Sequence, residues 1–168
     1  MTEINSMELL LGRINDVFGK ETAPPADDVA YAPQGTHMEC DDVRRAFAGK
    51  DWRSLRADDL LQNKEALDFM TPRAFRSYLP AYLRFSVEHF TESDVIPDTI
   101  LGILLPTNDE QLKKWRKERL DVLSTGQASV LRAFVEFLRE RHRSEFDEET
   151  LSAAIAEIDS AGIQGRRS

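Results

Sequence analysis

The chain is expected to fold as an all-α protein of six to eight helices, with a long Pro-rich connection after the first. Three observations predict this. Apolar residues recur at i, i+3 and i+4 in one segment after another. Ser, Thr or acidic residues stand where those segments begin. Nowhere do alternating β-branched runs flank an Asn-Gly or Asp-Gly turn.

The first helix is predicted over Thr2 to Phe18, with Met7, Leu10, Leu11, Ile14, Val17 and Phe18 on one face and Gly19 as a left-handed cap. Residues 19–37 hold three prolines and two glycines without a sustained period, and read as a long irregular connection. A loop of that length in a compact domain is expected to be functional or mobile. Helical spacing resumes from Glu39 to Phe47 through Cys40 and Val43, with acids in the first turn and Gly49 past the end. The stretch 51–70 predicts short helical turns that present Trp52, Leu55, Leu60, Leu61, Leu67 and Phe69 to a core. Thr71 caps the next helix, with Pro72 in its first position. Its apolar face runs through Phe75, Leu79, Tyr82, Leu83, Val87 and Phe90, and Pro80 should kink or divide it.

After a loop containing Pro97, a short apolar helix ends at Pro106. Thr107 and Glu110 fit a capping box for the following helix, and Asn108 is an equally good cap. Ser124 and Gln127 fit another, opening the strongest amphipathic helix through Val130, Leu131, Phe134, Phe137 and Leu138. The last helix is expected from Asp147 to Ala161 on Leu151, Ala154, Ile155 and Ile158, closed by Gly162. These elements predict a single domain over 1–162 and a flexible tail over 163–168.

Composition narrows function by exclusion. The 168 residues are 41% hydrophobic and 31% charged, with a net charge of -8, which suits a soluble globular chain. No apolar run approaches the roughly eighteen residues of a membrane span, and the N-terminus lacks the pattern of a secretory signal. A cytoplasmic location is expected. Cys40 is the sole cysteine, so an intrachain disulfide or a multi-thiolate metal site is excluded. The negative balance disfavours nucleic acid as a partner, because phosphate binding draws on Lys and Arg. Charge is nevertheless uneven: residues 1–50 carry five bases and nine acids, 51–105 six and nine, 106–143 nine and six, and 144–168 two and six.

Few residues suggest chemistry. His37, Glu39, Cys40, Asp41 and Asp42 are the densest polar group, and could ligate a metal or activate a thiol. Helix capping with a buried Cys40 accounts for them more simply. His89 and His142 are isolated histidines without a recognisable nucleophile and orienting acid beside them. No phosphate-binding, dinucleotide, nucleophile-elbow or zinc-helix motif is present, so no catalytic residue, cofactor or metal is assigned. The basic run at 113–119, with Trp115 interleaved, suggests either an anionic partner or a solvated helix face.

The run TPRAFRSYLPAYLRF at 71–85, preceded by GKDW and ALDFM and followed by LSTGQASVLRAFVEFL at 123–138, resembles a family of bacterial proteins of unknown function. Its marks are a TP-x-AF-x-x-YLPAY helix and a later L-x-x-x-Q helix start, and the resemblance covers about Met7 to Leu138. It rests on Trp52, Phe75, Tyr78, Leu79, Pro80, Tyr82 and Gln127, which are packing and capping residues. It implies a fold and carries over no catalytic residue. The C-terminal acidic helix departs from it.

The leading expectation is a non-catalytic protein-interaction module, such as a bacterial immunity protein that neutralises a toxin. Acidic binders suit basic active sites and associate fast through electrostatic steering. The contact is expected on the acidic loops from Thr22 to Asp28 and from Glu39 to Asp42. Glu21, Asp27, Asp28, Glu39, Asp41 and Asp42 are the candidate residues. The alternatives are a hydrolase or transferase assembled from dispersed residues such as His37, Cys40 and His89, and an oligomeric or nucleic-acid-binding protein that uses the helices at 109–143.

Overall fold

A computed structural model describes residues 3–164, with side chains from 5 to 162. Eight α-helices and three short 3-10 helices occur among them, and no strand. They gather into two compact units, Phe18–Thr99 and the pair of segments Met1–Val17 and Ile100–Ser168. The end of the expected tail, 165–168, lies outside the described residues.

In the unit of residues 18–99 the central element is α4, Pro72–Glu88, with Thr71 Oγ1 accepting from the Ala74 amide at 3.1 Å. Helix α4 runs unbroken through Pro80. The expected division does not occur, because twelve of its residues are buried. Such packing offsets the roughly 3 kcal/mol that an internal proline costs a helix. The two tyrosines of the YLPAY run reach carbonyls elsewhere in the unit. Tyr78 donates to Phe47 at 2.7 Å, and Tyr82 to Asn63 at 2.6 Å.

Helix α2 spans Met38–Phe47 and buries Cys40, Val43 and Phe47. Gly49 just beyond it takes a φ of 77°, as the end of a helix often requires. The short turns expected next are a 3-10 turn at Trp52–Ser54, α3 at Ala57–Leu61 and a 3-10 turn at Ala66–Phe69.

The 19–37 connection is irregular, as predicted, but it is pinned to the unit. Val29 and Ala30 are buried, Thr71 N–H donates to Val29 at 3.2 Å, and Tyr31 N–H donates to Phe69 at 3.0 Å. The Thr71 hydroxyl adds a bond to the Asp28 carbonyl at 2.8 Å. Gly19 is not the left-handed cap expected of it; the positive-φ glycines among the described residues are Gly35 and Gly49.

Helix α1, Glu3–Phe18, buries Leu10, Ile14 and Phe18. Helix α5 spans Ile96–Leu104, so Pro97 lies in its first turn rather than in the loop before it. A proline is tolerated there because its missing N–H would have no partner in the helix.

In the other unit, α6 covers Glu110–Asp121. Its cap is Asp109, whose Oδ1 accepts from Leu112 at 2.8 Å, and not Thr107 or Asn108. Thr107 instead accepts from the Asp109 amide at 3.2 Å and so orients the cap. Helix α7, Thr125–Arg141, opens with the predicted Ser124–Gln127 capping box. Gln127 is buried and also donates to the Val17 carbonyl at 3.2 Å. A Cβ on Gly126 would stand 3.3 Å from Val17, so this residue permits the close approach of α1 to α7. Helix α8, Glu148–Gln164, packs on α7 through Leu151, Ala154, Ile155 and Ile158. It continues through Gly162, which therefore does not close it. With no Cβ constraint demanding a turn, glycine costs a helix end only about 1 kcal/mol.

Candidate interaction face

Helix α2 begins at a cap made by an imidazole. His37 has extended backbone and its Nδ1 accepts from the Cys40 amide at 3.4 Å, which fixes this nitrogen as unprotonated while it caps. The Glu39 carboxylate lies 3.3 Å from the same nitrogen. The ring is held edge-on by Tyr31, whose hydroxyl is 3.3 Å from Nε2, and packs against Phe69. Cys40 is fully buried, with Sγ 3.9 Å from the Phe69 carbonyl. That placement agrees with the capping reading of this polar group. His89 sits at the C-terminus of α4, its ring on Phe85 and its Nε2 4.0 Å from Glu88. It shares no hydrogen bond, ion pair or ring contact with His37 or Cys40. No group of three or more His, Cys, Asp or Glu arranged to hold a metal ion occurs among the described residues.

The candidate acids divide into two sets. Glu21 pairs with Arg76 at 3.1 Å, Asp28 approaches Arg73 at 4.0 Å, and Asp41 bonds both Arg44 at 2.8 Å and the Gly35 amide at 3.0 Å. These three hold the connection and α2 in place. Asp42 is exposed and, among the described residues, pairs with Arg45, three residues on, at 2.7 Å. Such an exposed pair contributes roughly 0–1 kcal/mol, so a partner's cation can replace Arg45 at small cost. Asp27 and Thr22 are exposed on the connection.

Glu39 and Asp42 line a groove of about 350 Å³ beside α2. Its other walls include Val43, Glu65, Phe69 and Val95. Val95 on its wall is 40% exposed; Met38, next to Glu39 in the chain, is 73% exposed and Tyr31, against the His37 ring, 51%. Tyr31 is tied to the Phe69 backbone, and Met38 lies between His37 and Glu39. Sequence reading missed Tyr31, Met38, Glu65 and Val95. Met38 carries a usable signal, since an apolar residue at the first position of a helix lies outside its buried stripe; Val95 and Glu65 come to the groove only through folding.

The basic run at 113–119 is largely engaged within its own unit. Lys114 approaches Glu118 at 3.7 Å, Lys117 pairs with Asp121, and Arg119 is buried with its guanidinium 3.5 Å from the centre of the Trp115 ring. Farther along the basic strip, Arg132 and Arg139 both pair with Glu136, and each also pairs with a carboxylate of α8. Much of the strip is thus ion-paired, within α6 and from α7 to α8.

Fold and face together define an all-α protein with a groove rimmed by Glu39, Asp42 and Glu65. A model of a family of unknown function, DUF6714, matches residues 9–157, and the chain belongs to that family. The match reaches into α8, so the C-terminal helix that seemed to depart from the resemblance is part of the family's extent. No curated protein and no solved structure matches the chain. No helix among the described residues is long and apolar enough to cross a membrane.

Proposed function

We propose that the chain is a non-catalytic protein-interaction module that binds a basic partner protein through the groove beside α2. The observation that carries this reading is a groove rimmed by Glu39, Asp42 and Glu65 with exposed Val95 on its wall, flanked in the chain by exposed Met38 next to Glu39 and by exposed Tyr31 against His37. Tyr and Met are enriched in interface cores, and a charged rim adds register and a fast approach. The unit that bears the groove has ten bases against fifteen acids, which favours a basic partner at long range. His37, Cys40 and His89 serve capping and packing, which supports binding over chemistry. An immunity protein covering a basic toxin surface, in a bacterial cytoplasm, is the form of this reading that fits the acidic groove and the lone thiol.

The test is photo-crosslinking in native lysate from a reactive residue placed at position 38, with position 112 as control. A stoichiometric partner with a basic surface is expected from position 38 alone. Its capture should weaken with added salt and disappear in the Glu39→Lys, Glu65→Lys double variant. Equal capture from both positions, or capture unaffected by salt and by the double variant, overturns the reading.

A further inference from the structure

A hollow of about 640 Å³ lies between α1 and α7, within the unit that contains both. The two helices run antiparallel there. Gln127 bonds Val17, while Ser129, later in α7, accepts from Arg13, earlier in α1, at 3.0 Å. Leu10 and Phe137 form the floor and are almost fully buried, so what another molecule can touch lies on the rim. Leu9 is the apolar group there. It is 57% exposed, off the stripe of Leu10, Ile14 and Phe18 that α1 buries, and it lies between Ser6 and Arg13, at mid-length of the hollow.

The two ends of the rim carry opposite charges. Arg13 marks one end; it bonds the Ser129 hydroxyl and meets no carboxylate among the described residues. Glu140 marks the other, exposed and without a hydrogen bond or ion pair among the described residues. Arg141 beside it already has an interaction of its own. Between the ends, Arg132 and Glu136 pair with each other at 3.1 Å and offset one another. Ser129 and Glu140 stand about 16 Å apart along α7, so the unsatisfied cation and anion are well separated, with Leu9 midway.

That layout is complementary to itself. A two-fold rotation about the middle of the hollow sets Arg13 of each copy opposite Glu140 of the other and brings the two Leu9 side chains together, as an isologous interface requires. The long-range field permits such an approach here more readily than elsewhere. Residues 1–17 and 100–168 hold fifteen acids and twelve bases, against fifteen and ten in the unit that bears the α2 groove.

We propose that the α1–α7 face binds a second copy of this chain, in a two-fold dimer held by Leu9 against Leu9 and by two Arg13–Glu140 pairs between the copies. The α2 groove takes no part, so this dimer and the reading above stand or fall separately.

Sedimentation equilibrium of the full chain, from micromolar to millimolar concentration, tests the proposal and should show monomers in equilibrium with dimers. Leu9→Glu replaces an exposed side chain, so it should leave the far-ultraviolet circular dichroism unchanged and weaken association about tenfold or more. Arg13→Glu and Glu140→Arg each set like charges against each other twice, and each alone should weaken association about tenfold. Mixed in equal amounts, those two variants should associate with one another as the unchanged chain does, because every pairing then joins opposite charges. The double variant should do the same by itself. Monomer at every concentration overturns the proposal, whether the face is then bare or taken by a different protein crosslinked from position 9. A dimer indifferent to Leu9→Glu overturns it, as does a mixture of the two charge variants that associates no better than either alone.

Discussion

The hydroxyl of Tyr78 on α4 donates to the carbonyl of Phe47, the last residue of α2, at 2.7 Å, and lies 3.0 Å from the carbonyl of Lys50. The Phe47 carbonyl also accepts from the Lys50 amide at 3.0 Å, so this side chain supplies it with a second donor. Tyr82, one turn further along α4, does the same for Asn63 between α3 and the following 3-10 turn. The spacing i, i+4 puts both hydroxyls on one side of α4, where they anchor two successive connections.

Tyr78→Phe and Tyr82→Phe should each destabilise the protein by about 0.5–1.5 kcal/mol, since each removes one hydrogen bond while the Lys50 and Ala66 amides still donate to the Phe47 and Asn63 carbonyls. Urea unfolding with an unchanged slope is the measurement. Burial pushes the Tyr78 hydroxyl up to about 12 and raises Tyr82 further. Because the unfolded chain ionises first, near pH 10, stability should fall as pH rises above that value. The alkaline loss should shrink in Tyr78→Phe.

Ser124→Ala should cost about 1 kcal/mol by removing one half of the α7 capping box. Gln127→Ala should cost more. It removes the acceptor for the Ser124 amide at 3.0 Å and the donor to Val17 at 3.2 Å, and leaves a buried gap. Equal thermal unfolding midpoints for the two variants would contradict this ranking.

Cys40 should resist a thiol reagent in the native state and react fully on unfolding, because it has no exposed surface. Its labelling rate under native conditions should therefore rise in proportion to the population of open molecules. Fast, complete labelling of the folded chain would show that α2 is not docked through this face.

Burial, aided by the neighbouring Arg141 charge, holds the His142 imidazole below its ordinary value. The unfolded chain binds its proton at higher pH than the folded one, so stability is present above about pH 6.5 and is lost as pH falls through that point. His142→Gln should flatten the stability profile between about pH 7 and pH 5. An unchanged profile would exclude His142 as the cause.

Much of the local architecture is legible in the residues themselves. Thr71 with Pro72, and Ser124 with Gln127, cap their helices as their spacing predicts, because a cap needs only residues within one turn. The same local reading fails where several caps compete. Asp109 replaces Thr107 and Asn108 because Thr107 is engaged in orienting it. Gly19 and Gly162 look like helix ends, yet neither takes a left-handed turn, since glycine permits that conformation without requiring it.

The candidate face was legible only in part. Glu39 and Asp42 line the groove, whereas Glu21, Asp28 and Asp41 are engaged with Arg76, Arg73 and Arg44. Charge counts along a chain cannot distinguish these sets, because two of the three arginines lie far away in sequence.

By itself, the sequence determined an all-α protein, the course of its helices, and the burial of Cys40 and the long apolar faces. Periodicity and capping are short-range properties, and they survive folding unchanged. Tertiary structure alone decided that the 19–37 connection is pinned through Val29 and Ala30, and that α4 passes through Pro80 intact. It alone brought Val95 to the groove that Glu39 lines. Each of those outcomes depends on packing between segments distant in the chain, whose energies outweigh local preference and leave no mark in local spacing.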